Sequence, residues 1–186
     1  MKLSIREQIL AAVFAAVIAI FAQITIPLGL VPLTLQTFIV GVVASLLGSR
    51  VGTWSVLIYL LLGVIGLPVY AGGASGIGAL FGPTGGYLIS FLVTAFVIGK
   101  FIETTNSSFL SVVVANTIGT IIPLFIGTVW LKYAVAISFT QAFAQGFVPF
   151  ILAGVIKTIA ASIVAVLLYK RVPRKFLPVL SDSVHE

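Results

Sequence analysis

Cysteine is absent from this chain, which removes disulfides, thiolate nucleophiles and cysteine-held metal together. Acid is almost absent: Glu7, Glu103, Asp182 and Glu186 are the only carboxylate side chains, and each falls at a segment end or in a tail. Histidine occurs once, as His185 in the C-terminal tail. Intramembrane hydrolysis by a serine–histidine pair or a metal-bound water therefore has nothing to build on. No enzyme is expected, and no metal or cofactor. An ion-coupled carrier places acids along its path and builds on internal repeats, and neither is visible. The glycines do not complete a nucleotide-binding motif either: no Gly-x-x-x-x-Gly-Lys-Ser/Thr occurs, and Gly76-x-Gly78 lacks its third glycine. The chain does not look like its own ATPase.

What is present is apolar. Hydrophobic residues make up 60% of the sequence and charged ones 8%, with a mean hydropathy of +1.28, which describes an integral membrane protein rather than a soluble domain. Strands of a membrane barrel would be shorter and would alternate apolar with polar side chains, so the spans are helical. Segments at roughly 8–26, 37–49, 51–66, 85–102, 108–131 and 147–169 predict six transmembrane helices in one domain over residues 1–186, the second and third being short. The run Ile9–Ile26 exceeds a signal-peptide core and lacks a small-x-small cleavage site, so it is read as a retained helix.

The net charge of +6 orients the chain rather than binding nucleic acid. With the N-terminus in the cytoplasm of a plasma-membrane protein, Lys2, Arg6, Arg50, Lys100, Lys170, Arg171, Arg174 and Lys175 fall inside and Lys132 outside. The cluster Lys170/Arg171/Arg174/Lys175 reads as a stop-transfer flank near anionic lipid. This topology puts the sequon Asn106-Ser107-Ser108 in the cytoplasm, where it carries no glycan. Trp54, Trp130, Tyr133 and Tyr169 suit interfacial belts.

Two connections face outside. Ile26–Thr37 contains Pro27 and Pro32, which prevent a continuous helix, and offers Thr34, Gln36 and Thr37 as hydrogen-bonding groups. Gly66–Tyr87 is glycine-rich but interleaved with Leu, Val, Tyr and Phe, unlike a flexible linker, and is expected to fold onto the bundle. Either these glycines and prolines make tight turns between short helices, or the two loops wall a pocket. Gly48-x-x-x-Gly52 and Gly82-x-x-x-Gly86 are read as turn residues rather than helix contacts. Ala11/Ala15/Ala19 and Ala12/Ala16 form a smooth stripe on the first helix, suited to packing inside this bundle or against a partner. Asn116 either bridges helices or lines a cavity.

Lys157, within Gly154-Val155-Ile156-Lys157-Thr158-Ile159 of the last apolar segment, carries the strongest signal. A lysine at membrane depth is costly, and no acid in the sequence is placed to neutralise it, so a ligand is the candidate counter-charge. Two other readings exist. A lone membrane lysine can hold an aldehyde chromophore as a Schiff base, or it can face lipid and snorkel in a purely structural subunit.

Pro32-x-Thr34-x-Gln36-Thr37, Gly63-x-x-Gly66-Leu67-Pro68-Val69-Tyr70-Ala71-Gly72-Gly73 and Gly82-Pro83-Thr84-Gly85-Gly86-Tyr87-Leu88 resemble the BioY family of biotin-binding S-components of energy-coupling factor transporters. The resemblance covers nearly the whole chain. It implies an all-α, six-helix membrane protein with a structured Gly-rich outside loop. It implies biotin capture at the outer face, and association with a T-component and two cytoplasmic ATPases. In that frame Lys157 pairs with the valerate carboxylate, Gln36, Thr34, Thr84 or Asn116 bond the ureido group, and Tyr70, Tyr87 and the Gly73 region pack on the fused ring. The stripe Ala11, Ala12, Ala15, Ala16 and Ala19 becomes the T-component contact. Another small carboxylate vitamin is the nearest alternative ligand. The family commonly has an aspartate three residues before its lysine; Gly154 stands there in this chain.

Overall fold

The computed structural model describes residues 3–105, 107–173 and 176–181. Lys2, Asn106, Arg174, Lys175, Asp182, His185 and Glu186 lie outside them. In chain order the elements are α1 (Ile5–Ala22), β1 (Thr25–Ile26), β2 (Leu33–Thr34), α2 (Gln36–Val64), a 3-10 turn at Ala71–Gly73, α3 (Gly78–Phe81), α4 (Gly85–Thr104), α5 (Phe109–Ala134), α6 (Phe139–Gly146), α7 (Phe150–Arg171) and α8 (Pro178–Ser181). Among the described residues five helices, α1, α2, α4, α5 and α7, are long and apolar enough to cross a membrane.

Helix α1 starts on a capping box. Ser4 Oγ accepts from the Glu7 amide and the Glu7 carboxylate accepts from the Ser4 amide, which satisfies donors that a helix start leaves open. Ala11 and Ala15 are fully buried by this protein's own bundle, whereas Ala12 and Ala16 are exposed and Ala19 is half-buried. After α1 the chain forms a minimal antiparallel ladder, pairing Thr25 with Thr34 and Ile26 with Leu33. It then enters α2.

Helix α2 is not one rod. Gly48 breaks it at φ 75°, ψ −178°, and Gln36 Nε2 lies 2.6 Å from Tyr59 Oη. A continuous helix at 1.5 Å per residue would separate those residues by about 34 Å. The two halves therefore lie side by side, and a Cβ added at Gly52 would sit 3.1 Å from Ala44 Cα. The reversal near residue 50 matches the boundary expected between segments 37–49 and 51–66, with Gly48 as the reversing residue.

A carboxylate holds this reversal. Glu103, near the end of α4, accepts from the Ser49 amide at 2.6 Å and from Ser49 Oγ at 2.8 Å, capping the start of the second half of α2 with a negative charge at the favourable end of the helix dipole. Any side chain at Gly48 would strike Glu103, and one at Gly99 would strike the Ser49 amide, so both glycines are needed for the approach. Lys100 lies 3.8 Å from Glu103, and Arg50 lies 3.9 Å from Glu7 on α1. At this same end Arg6 stacks over Phe176, and Leu177 and Val179 are buried beneath the bundle.

Helices α4 and α5 meet through small residues: Gly119 faces Ile98, Gly127 faces the Tyr87 ring, and Gly86 faces Trp130. Gly86 is thus a helix-contact glycine, not the turn residue expected from its spacing. Pro123 lies inside α5 and cannot donate to the Gly119 carbonyl; Thr94 Oγ1 donates to that carbonyl instead, at 3.3 Å.

Glu103→Ala removes the carboxylate that accepts from the Ser49 amide and the Ser49 hydroxyl at the reversal. It is expected to lower unfolding stability in detergent by about 1.5–3 kcal/mol, with Glu103→Gln, which keeps an acceptor, losing less. Thermal unfolding of the two variants checks this, and equal stability with the parent would refute the cap.

Candidate functional site

The end of the bundle opposite the Gly48 reversal encloses a cavity of about 250 Å³. Its walls come from the β1–β2 ladder, the start of α2, the 65–84 connection, α4, α5 and α7. The two loops share one face and one cavity, so they do more than turn the chain.

Lys157 reaches into this cavity from α7. Its Nζ donates to the Thr34 carbonyl at 2.7 Å and to Thr37 Oγ1 at 3.2 Å. An ammonium has three donors, so one remains for a ligand. Gly154, one helical turn earlier on the same face, also lines the cavity, and a Cβ there would meet the Thr120 methyl at 3.1 Å. Among the described residues no carboxylate lines this space. A lipid-facing, snorkelling lysine does not match this placement, and the cavity wall supplies no acid as counter-ion to a protonated Schiff base.

Gln36 is buried, 4% exposed, and both ends of its amide are tied. Nε2 donates to Tyr59 Oη, and Oε1 accepts from Thr34 Oγ1 at 2.9 Å. Thr34 therefore serves Lys157 through its carbonyl and Gln36 through its hydroxyl.

Tyr70, from the 65–84 connection, is buried against Gly63, where any side chain would collide with its ring. Its hydroxyl donates to the Leu60 carbonyl at 2.6 Å. Burial raises its pKa, so the phenol stays neutral and keeps that donor. Gly76 N donates to the Gly63 carbonyl at 2.7 Å and Gln23 Nε2 to the Tyr70 carbonyl at 3.2 Å, fixing the connection to α2 and α1. Tyr87 lies across the cavity; its hydroxyl donates to the Gly146 carbonyl at 2.8 Å and its ring centroid is 6.5 Å from that of Phe150. Thr84 also lines the cavity, and its side chain makes no capping bond to α4.

Lys157, Gln36, Thr34, Tyr70, Thr84 and Tyr87 thus surround one space, and two expected site residues do not. Asn116 is buried between helices, its Nδ2 donating to Ser45 Oγ at 3.1 Å and to the Val112 carbonyl at 2.9 Å. It ties α5 to α2 one turn below the cavity, where Thr120, four residues on, takes the lining position. Gly73 is exposed on the outer side of its 3-10 turn at φ 78°, and Ala71 and Ala74 supply the wall. Sequence reading missed the apolar lining by Val31, Phe91, Leu124 and Phe150, because an apolar residue facing a cavity looks like one facing lipid. Pro123 carried a signal: a proline inside a helical run marks irregular backbone, which membranes tolerate where it lines a cavity.

Comparison with known proteins bears on the family and the fold. The BioY family model matches residues 1–174. The chain is 43% identical over 154 residues to the biotin transporter BioY2 of Lactococcus lactis subsp. cremoris (strain MG1363), covering 83% of this chain and 85% of that one. It is 42% identical over 165 residues to the biotin transporter BioY of Thermotoga maritima, covering 89% and 96%. The crystal structure of the S-component for biotin from an ECF-type ABC transporter superposes with a TM-score of 0.82 at 31% identity, covering 89% of this chain and 92% of that one. A multi-pass helical protein with these motifs and a lysine-bearing cavity between its two loops, this chain belongs to the BioY family.

Proposed function

We propose that this protein captures biotin in the Lys157 cavity as the substrate-binding S-component of an ECF-type transporter. The observation that carries the reading is a lysine in a mostly apolar cavity whose hydrogen-bond partners are a carbonyl and a hydroxyl, with no carboxylate on the walls among the described residues. The valerate carboxylate takes the remaining ammonium donor, the fused ring lies between Tyr70 and Tyr87, and the ureido group meets Gln36, Thr34 and Thr84. A cavity of this kind, largely apolar with a few placed polar groups, suits a small amphipathic ligand. The named relatives, biotin transporters and a biotin S-component, support the same ligand.

The transport setting belongs to the same proposal. The chain forms one transmembrane domain in the plasma membrane, the two halves of α2 count as separate crossings to make six, and both termini lie in the cytoplasm. A T-component and two ATPases supply the energy. The T-component contacts the exposed Ala12, Ala16 and the adjoining Ala19, whereas Ala11 and Ala15 pack inward against this protein.

Calorimetric titration of the detergent-purified protein with biotin and with biotin amide tests the ligand and its charge. Tight binding of biotin and a large loss for the amide are expected; absence of biotin binding sinks the reading. Lys157→Ala leaves the ligand carboxylate unpaired and is expected to weaken biotin binding by about 2–4 kcal/mol. For the membrane setting, single cysteines can be introduced cleanly because the chain has none. Cysteines at Leu30 and Ser75 should label with an impermeant reagent from outside, and one at Thr105 only after permeabilisation. Ala16→Trp should abolish ATP-driven uptake in the assembled transporter while leaving biotin binding by the isolated chain within about twofold, as befits a surface change remote from the cavity.

A further inference from the structure

We propose that α6 is an interfacial helix: its phenylalanine stripe enters the lipid at the cavity end of the bundle, and this seating holds the Tyr87–Phe150 wall of the cavity. The lipid contact stands without the ligand; its effect on affinity rests on the biotin reading above.

Helix α6 joins α5 to α7, both long and apolar enough to cross a membrane. Its eight residues, Phe139–Gly146, rise about 12 Å, well short of a hydrocarbon core of about 30 Å. It therefore lies at the boundary where the chain leaves one crossing and enters the next. Tyr133 marks that level at the end of α5, exposed, with Lys132 Nζ 4.7 Å from its ring centroid.

Successive residues turn by about 100° on a helix, which divides α6 into three faces. Ala142 and Gly146 are buried against the bundle, Ala142 in a cluster with Leu131 and Phe150. Phe139, Phe143 and the C-cap Phe147 occupy the neighbouring face with their rings stacked, successive centroids 6.3 Å and 4.8 Å apart. Gln141 and Gln145 take the side opposite the rings, and no residue of α6 is charged. Phe139 is 51% and Phe143 39% exposed. Directly after the stripe, Val148, Ile151 and Leu152 are exposed as well and carry the apolar surface on into the spanning helix α7. That continuity identifies the occupant as lipid. A helix with one apolar and one polar face settles in the plane of the interface, here with the rings at the acyl boundary and the glutamines in water.

The C-terminal end of α6 is joined to the cavity. The Gly146 carbonyl accepts from the Tyr87 hydroxyl at 2.8 Å, and any side chain at Gly146 would strike that hydroxyl. The Phe147 carbonyl accepts from the Phe150 amide at 3.1 Å, and Phe150 lines the cavity with Tyr87. Lifting α6 out of lipid withdraws both acceptors from the wall they hold.

Because the chain has no cysteine, one nitroxide can be placed at a time. In nanodiscs of phosphatidylcholine, a label at Phe143→Cys is expected to collide more with oxygen than with a water-soluble nickel chelate. One at Gln145→Cys should show the reverse, the two oxygen-to-nickel accessibility ratios differing severalfold. Phe139→Cys takes the place of Phe143→Cys if that variant does not fold. Equal ratios on the two faces put the rings in water, and a stripe label shielded from both reagents puts them under protein, such as a second copy of the chain; either result overturns the lipid contact. Phe143→Asn, which sets a polar amide in the stripe, is expected to weaken biotin binding in the same nanodiscs by roughly tenfold, the scale of one lost hydrogen bond. Phe143→Leu, which still inserts, should stay near the parent. An affinity unchanged in Phe143→Asn, or lost equally in Phe143→Leu, overturns the hold on the cavity wall. Failure of the parent to bind biotin defeats the functional reading instead, and the label depths still decide the lipid contact.

Discussion

The reversal of the chain at Gly48 is the constraint on which the cavity depends. It brings the start and the end of α2 to one level of the bundle, so that Gln36 meets Tyr59 and the connection after α2 begins beside the ladder that precedes it. The device that secures it lies at the far end. Glycine is required at position 48 by its left-handed φ and by the Glu103 carboxylate above it, and the absence of a side chain at Gly99 lets α4 carry that carboxylate in. A charge otherwise expensive near the membrane is settled by hydrogen bonds to Ser49 and by the open amides of a helix start.

The opposite end solves a different electrostatic problem. Lys157 is bonded to a backbone carbonyl and a hydroxyl, which are dipoles rather than charges. They compensate part of the ammonium's desolvation without neutralising it. An aspartate one turn away, at position 154, would cancel that field within the protein. Glycine there leaves the cation without a carboxylate beside it in the cavity among the described residues, the condition under which a carboxylate ligand gains most from arriving.

Much of this arrangement was readable from the sequence, for identifiable reasons. Long apolar runs in a chain with four acids mark membrane helices whatever their packing, and the break between segments 37–49 and 51–66 falls at Gly48-Ser49-Arg50, where a glycine and a charge interrupt the apolar run. Lys157 stood out because a charge in an apolar run has no structural role of its own. Residues whose function depends on orientation were not legible. Asn116 and Thr120 lie on the same face of α5, yet only the structure shows that the helix contact takes Asn116 and the cavity wall takes Thr120. Ala11 and Ala12 are neighbours of identical chemistry, one buried and one exposed, because the spacing of a stripe does not say which of its rows faces inward. Gln36 was legible as a polar residue near the cavity, but Tyr59 was not, since a tyrosine within an apolar run looks like any other packed ring.

Thr34 makes the cation and the amide parts of one assembly. Its carbonyl receives Lys157, its hydroxyl donates to the Gln36 side chain, and the same oxygen accepts the Gln36 backbone amide. Both contacts issue from a residue that is also paired with Thr25 in the ladder, so the strand's register places them. A slip of one residue in that ladder would turn the Thr34 side chain to the other face, separating the hydroxyl from Gln36 and carrying the carbonyl away from Lys157. The two-residue ladder is too short to be stable alone; the bonds it organises, to α7 on one side and α2 on the other, hold it in register. Strand and site therefore stabilise each other, and the outer loop is as much a product of the lysine and the glutamine as their scaffold.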